Sequence, residues 1–186
     1  MSEASPEDVE VSKRLSFVLR HKPEAIGISL ETGGWVAVEL LLERLNATGE
    51  VVTRAVLERV VETSDKQRFA LTEDRQRIRA NQGHSVAVDL CLSPVRPPSI
   101  LFHGTASRFL EKIEREGLKP GHRQHVHLSV NSRTAQSVGS RHGKPVVLVV
   151  NAEAMFQNGF EFFLAANGVW LTPHVPHTYL AASSEV

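Results

Sequence analysis

Apolar positions recur with a helical period through the first half of this chain and mostly with a period of two through the second. From Ser5 a hydroxyl N-cap, Pro6 at the first helical position and a carboxylate at Asp8 open a helix whose apolar stripe is Val11, Leu15, Val18 and Leu19. Pro23 ends it, because its ring excludes a helical Lys22. Glu31 to Val36 reads as a turn and a short strand, and Val38 to Leu45 has the apolar density of a buried helix. A further helix runs from about Thr53 to Thr63, with Val56, Leu57, Val60 and Val61 inward. Gln67 to Leu71 and Arg77 to Ala80 then flank a polar turn, Thr72 to Gln76, as the two arms of a hairpin.

Ser93-Pro94-Val95-Arg96-Pro97-Pro98-Ser99 interrupts both periods, since its three prolines deny helix and central strand alike. The expected organisation is a first lobe over residues 1–92, a linker over 93–99 and a second lobe over 100–186. Helix, short strand, two helices and a hairpin follow the order of a winged helix, a module that meets nucleic acid or docks proteins. In the second lobe Ile100 to Thr105 is a strand running into a turn, Arg108 to Glu116 a helix closed by Gly117, and Arg123 to Ser129 a strand. Ser132 to Ser140 reads as a helix, Pro145 to Asn151 as an apolar strand, and Phe160 to Leu171 as two strands about a turn at Asn167-Gly168. The predicted fold class is α+β, with a mostly antiparallel or mixed sheet in the second lobe.

The 186 residues, 41% apolar and 23% charged, describe an ordinary globular chain. No apolar run approaches the roughly 20 residues of a membrane span, and no basic-then-apolar leader opens the chain, so a cytoplasmic protein without membrane attachment is expected. The single cysteine, Cys91, sits in the run Val86 to Leu92 and is expected to be a buried small hydrophobe. Net charge is zero, but residues 1–91 hold 12 Lys and Arg against 15 acids and residues 92–186 hold 9 against 6. Seven of the nine histidines lie in the second half, so any anion site must be a local cluster and nonspecific clinging to polynucleotide weak.

The alternation at Arg123 to Ser129 places Arg123, His125, His127 and Ser129 on one face and Val126 and Leu128 on the other. Such a face suits an anionic ligand, and equally a solvated surface. His103-Gly104-Thr105 ends a strand with a glycine that permits close backbone approach between an imidazole and a hydroxyl. Arg20 and His21 fall in the last turn of the first helix, where cations complement the dipole even without a ligand. Arg68 must project away from Phe69 and Leu71. A metal site built on His122, His125 and His127 is the rival reading of the same histidines, opposed by Arg123 between them and by the lack of a nearby carboxylate; no metal is expected.

Six ordered segments together resemble the NAD-dependent RNA 2′-phosphotransferase family. They are Leu15 to Pro23 (LSFVLRHKP), Gly33-Gly34-Trp35-Val36, Lys66-Gln67-Arg68-Phe69, Ile78 to Ser85 (IRANQGHS), Leu101 to Thr105 (LFHGT) and His125 to Ser129 (HVHLS). The resemblance covers nearly the whole chain. It implies a winged-helix lobe followed by an ADP-ribosyltransferase-like lobe, and a monomeric enzyme that removes an internal 2′-phosphate from RNA, of the tRNA splice-junction type, consuming NAD+ as cosubstrate. By the same resemblance the catalytic set is Arg20, His21, Arg68 and Arg123, and the NAD site is His103, Gly104, Thr105, His127, Ser129 and Arg133.

In the reaction so implied, the 2′-phosphate attacks the anomeric carbon of the nicotinamide riboside, and the ribose 2″-hydroxyl then attacks phosphorus, releasing ADP-ribose 1″,2″-cyclic phosphate. An anionic nucleophile needs positioning by guanidinium forks rather than a general base. Protein-modifying ADP-ribosyltransferases place a glutamate on a late strand; Ala166 to Trp170 offers none, which fits a phosphate acceptor. Two other expectations stay open: transfer to a different phosphate acceptor such as a nucleic-acid 5′-phosphate end, and a noncatalytic winged-helix regulator whose second lobe senses a nucleotide.

Overall fold

A computed structural model describes residues 5–49 and 51–182, and the chain divides into two compact units, residues 1–91 and 92–186. In the first unit, helix α1 (Pro6–Arg20) starts as its sequence dictates: Ser5 Oγ accepts from the Asp8 amide at 3.1 Å with Pro6 in the first turn. It stops before Pro23, the amides of His21 and Lys22 both reaching the Phe17 carbonyl at 3.0 and 2.9 Å. Strand β1 (Val36–Ala37) leads into α2 (Val38–Asn46), and α3 (Arg54–Glu62) is capped by the Thr53 side chain. Strands β2 (Phe69–Leu71) and β3 (Arg77–Ala80) form the hairpin, and the antiparallel sheet order is β1-β3-β2. Leu15, Val18 and Leu19 pack with Leu41, Leu45, Leu57 and Ile78 into one core, each at most 1% exposed.

The second unit has two three-stranded antiparallel sheets. One is β4 (Ile100–Ala106), β6 (Pro145–Asn151) and β9 (Leu180–Ala182) in the order β4-β6-β9, with β4 and β6 paired from Ile100↔Asn151 to Ala106↔Pro145. The other is β5 (Val126–Leu128), β7 (Phe163–Leu164) and β8 (Trp170–Thr172) in the order β5-β8-β7. Phe102 and Ser129 exchange backbone hydrogen bonds of 2.8 and 2.9 Å and so tie β4 to the end of β5. Helices α4 (Leu110–Glu116), α5 (Ser132–Gly139) and α6 (Ala152–Gln157) complete the unit. Its core gathers Leu101, Leu128, Val150, Met155, Phe162 and Trp170. The proline-rich stretch is built into this unit: the Val95 amide donates to the Phe162 carbonyl at 2.8 Å, and Pro97 is buried.

Both units are mixed α and β with small antiparallel sheets, so the α+β class holds. Two local expectations do not. Cys91 is exposed and sits at φ +54°, because the run from Val86 to Leu92 is not a strand; the Asp89 carboxylate accepts from the Cys91 amide at 2.8 Å and turns the chain there. The strand expected from Arg123 begins only at Val126. Arg123 lies in an exposed turn after Gly121 (φ +65°), its amide closing on the Pro120 carbonyl at 3.2 Å. No helix among the described residues is long and apolar enough to cross a membrane.

Candidate functional site

The predicted residues fall into two groups, one in each unit. In the first, Arg20 ends α1 and His21 caps it, so both side chains leave from one helix end. The segment after β3 closes that end: the Ser85 amide donates to the Arg20 carbonyl at 2.9 Å, and His21 Nδ1 lies 2.9 Å from Ser85 Oγ, which orients the imidazole. Arg20 Nη2 donates to the Arg68 carbonyl at 3.2 Å, and its guanidinium lies 5.8 Å from the centroid of the Phe69 ring. Phe69 is buried, so Arg68 one position earlier projects from the other face, where it and His21 line a cavity of about 490 Å³. Arg20, His21 and Arg68 are therefore brought together, and Arg68 makes no ion pair among the described residues.

Sequence reasoning assigned no role to Ser85 or to His84 beside it. His84 is 2% exposed, and neither ring nitrogen has a hydrogen-bond partner among the described residues. Burial first, then the charges of Arg20, His21 and Arg79, push its pKa down to about 4, so the ring is neutral at physiological pH. Arg79 is itself engaged, stacked 4.6 Å over Trp35 and donating to the Gly33 carbonyl at 3.3 Å. The available signal was the Gly83-His84-Ser85 triplet, separated from the end of β3 by two residues.

In the second unit His103 Nδ1 lies 3.1 Å from the His127 carbonyl. A carbonyl only accepts, so the proton sits on Nδ1 and the neutral ring presents Nε2 as an acceptor. Burial lowers the His103 pKa most; the bond to His127 opposes this, and the charges of Arg123 and His142 lower it further. Thr105, two positions on, is buried on the same side of the strand. His127 is half-buried on β5 between Val126 and Leu128, opposite Leu171.

Gly104 faces the other way, and packing by itself already requires a glycine there. A Cβ there would lie 1.7 Å from the Ala135 carbonyl oxygen and 3.0 Å from the Gly139 amide, so its bare backbone serves the packing of β4 against α5. Gly139 reciprocates, since its Cβ would meet the Thr105 carbonyl at 2.5 Å. Ser129 also has local work, its Oγ accepting from the Asn131 amide at 3.1 Å in the turn that leads into α5. Arg133 is exposed in the first turn of that helix. His125 packs edge-on against Phe163, ring centroids 5.7 Å apart.

An α+β protein with guanidinium and imidazole groups at a cleft in one unit, and an imidazole pinned in one tautomer beside a buried hydroxyl in the other, is chemically equipped for an anionic, hydroxyl-rich ligand. Comparison with known proteins narrows this. The model of the RNA 2′-phosphotransferase, Tpt1 / KptA family matches residues 6–174. The chain is 59% identical over 174 residues to a protein of Agrobacterium fabrum named probable RNA 2′-phosphotransferase, covering 94% of each chain. It is 53% identical over 169 residues to one of the same name from Acaryochloris marina, covering 91% of this chain and 93% of the relative. A third, from Pectobacterium carotovorum, is 51% identical over 172 residues, 92% of each chain. The chain belongs to the RNA 2′-phosphotransferase family.

Proposed function

We propose that this protein is an enzyme that removes an internal 2′-phosphate from RNA with NAD+ as cosubstrate, its first unit holding the RNA phosphate and its second the NAD+. The observation that carries the proposal is the family match over residues 6–174, with relatives that bear the name of that activity over nearly their whole length. The sheet order β1-β3-β2 with three helices supports a winged-helix reading of the first unit. The pair of three-stranded antiparallel sheets in the second is compatible with an ADP-ribosyltransferase-like lobe. NAD+ supplies an ADP-ribosyl group with nicotinamide as its leaving group.

The rest is the work of this chain's residues. Arg20 and Arg68 neutralise and orient the 2′-phosphate, which is already a nucleophile and needs no base, and the family resemblance adds Arg123 to this set. His21, oriented by Ser85, handles the proton that the departing RNA 2′-oxygen requires when the ribose 2″-hydroxyl displaces it from phosphorus. His103 fits a ribose hydroxyl, because its Nε2 is an acceptor in the tautomer set by His127, and Thr105 and His127 stand with it. Gly104 and Ser129 already have structural roles, so their part in NAD+ binding is through backbone they position. Arg133 would reach the pyrophosphate or adenine.

Phosphorus gains charge only in the second step. Arg68→Ala and Arg123→Ala should therefore slow that step more than the first and accumulate ADP-ribosylated RNA when each variant is incubated with a 2′-phosphorylated oligonucleotide and NAD+. Loss of product from both variants with no accumulation would overturn these roles.

A further inference from the structure

The cavity that His21 and Arg68 line continues beyond them. Along α1, Ser12, Lys13, Ser16 and Phe17 enter its wall, and Lys66 enters from the segment between α3 and β2. These α1 positions recur at helical spacing on the side away from the core stripe of Leu15, Val18 and Leu19. Phe17 is 45% exposed, an aromatic ring on a stripe that contributes nothing to the core of the unit. From His21 the stripe runs back to Lys13 over two turns, about 12 Å at 1.5 Å per residue.

Charge along the cleft is favourable to a polyanion. Lys13 holds Glu10 at 3.3 Å in an exposed pair that a phosphate can displace. Of the two carboxylates in the lining, Asp8 is bonded to Arg59 at 2.6 Å, and Asp65 is next to Lys66 in the chain. Val9 and Val60 also line the cleft, so its wall mixes apolar and polar groups; an exposed aromatic ring beside lysines and serine hydroxyls suits a single strand, whose bases stack and whose phosphates seek cations.

We infer that this cleft takes the single-stranded RNA next to the 2′-phosphate, one base stacked on Phe17 and strand phosphates near Lys13 and Lys66. The inference rests on the proposed reading of His21 and Arg68 as ligands of the 2′-phosphate and names what lies beside it. Unstacked bases on aromatic rings are the usual means by which proteins hold single-stranded RNA. The cleft would make flanking nucleotides part of the substrate, so a 2′-phosphate on a longer strand would be bound in preference to one on a minimal fragment.

Binding in the absence of NAD+ tests this with three probes: an oligoribonucleotide with one internal 2′-phosphate, the same strand with a 2′-hydroxyl, and a 2′-phosphorylated dinucleotide. The phosphorylated strand should bind more tightly than the dinucleotide. Phe17→Ala should weaken the strand about tenfold, in the range of one base–aromatic stack, and narrow the gap to the dinucleotide, whereas Phe17→Trp should preserve it. Equal binding of strand and dinucleotide, or equal weakening of both by Phe17→Ala, overturns the inference. Equal binding of the 2′-phosphate and 2′-hydroxyl strands would instead defeat the phosphate reading. In that event 4-thiouridine placed on either side of the central nucleotide still decides the cleft: crosslinks to the α1 peptide containing Phe17 support it, and crosslinks confined elsewhere overturn it.

Discussion

Along α3 and the β2–β3 hairpin, Arg54 is bonded to Glu39 at 2.6 Å and Glu58 at 3.2 Å, and Arg75 to Glu58 and Glu62, both at 2.9 Å. At the end of α1, Arg20 donates to a carbonyl, and Arg68 beside the cavity makes no ion pair among the described residues. One residue type is thus used in two ways within a single unit. Where carboxylates surround a guanidinium its charge is already answered and it belongs to the fold. Arg68, beside a cleft and without an ion pair among the described residues, is the arginine that the proposed function assigns to an incoming phosphate. The zero net charge of the chain does not report this difference, which is local.

Substituting one arginine of each kind is the sharpest way to break the comparison. Arg68→Ala should lower kcat/KM on a 2′-phosphorylated oligonucleotide by about a hundredfold or more while leaving the melting temperature in place. Arg75→Ala should do the reverse on a smaller scale, lowering the melting temperature slightly with turnover unchanged. If Arg68→Ala melts early and its activity falls only in proportion, Arg68 belongs with the structural arginines.

Gly104 extends the comparison to the second unit, where a residue expected at a ligand also makes a close packing contact with α5. Gly104→Ala should destabilise the protein by about 3 kcal/mol or more in denaturant unfolding, because neither the Ala135 backbone nor β4 can yield to a methyl group. A normally stable Gly104→Ala would contradict this packing role.

His84 gives the most gradual effect. Its pKa of about 4 in the folded chain lies below the ordinary 6.5, so between those values the unfolded chain binds more protons and stability falls as pH falls. The full loss from pH 6.5 to below 4 is about 3 kcal/mol, and none of it appears above pH 7. Urea unfolding across pH 4–7 should show a steeper slope for the wild type than for His84→Gln, whose amide does not titrate. Identical slopes would mean that the buried ring is accommodated in its charged form.

Elements marked by local chemistry were legible in the chain. Ser5, Pro6 and Pro23 bound α1 because capping and ring sterics act over a few residues, and the period-two pattern of Val126 and Leu128 found the buried face of β5. What depended on distant neighbours was not. Gly104 advertises a close approach, yet only the fold says that the approaching body is α5. Helix α6 follows β6 without an intervening break, and its N-cap, Asn151, is also the last residue of that strand. At the site, Arg20, His21 and Arg68 could be selected by resemblance, but Ser85 joins them through a contact between residues 64 positions apart.

The proposed reaction moves the 2′-phosphate from RNA to the ADP-ribosyl group of NAD+ with loss of nicotinamide. Incubating the purified protein with an oligonucleotide carrying a radiolabelled internal 2′-phosphate, with and without NAD+, measures it directly. Label should leave the RNA only with NAD+, appearing as ADP-ribose 1″,2″-cyclic phosphate with one nicotinamide released per phosphate. Release of inorganic phosphate without NAD+, or an unchanged oligonucleotide in its presence, would contradict it.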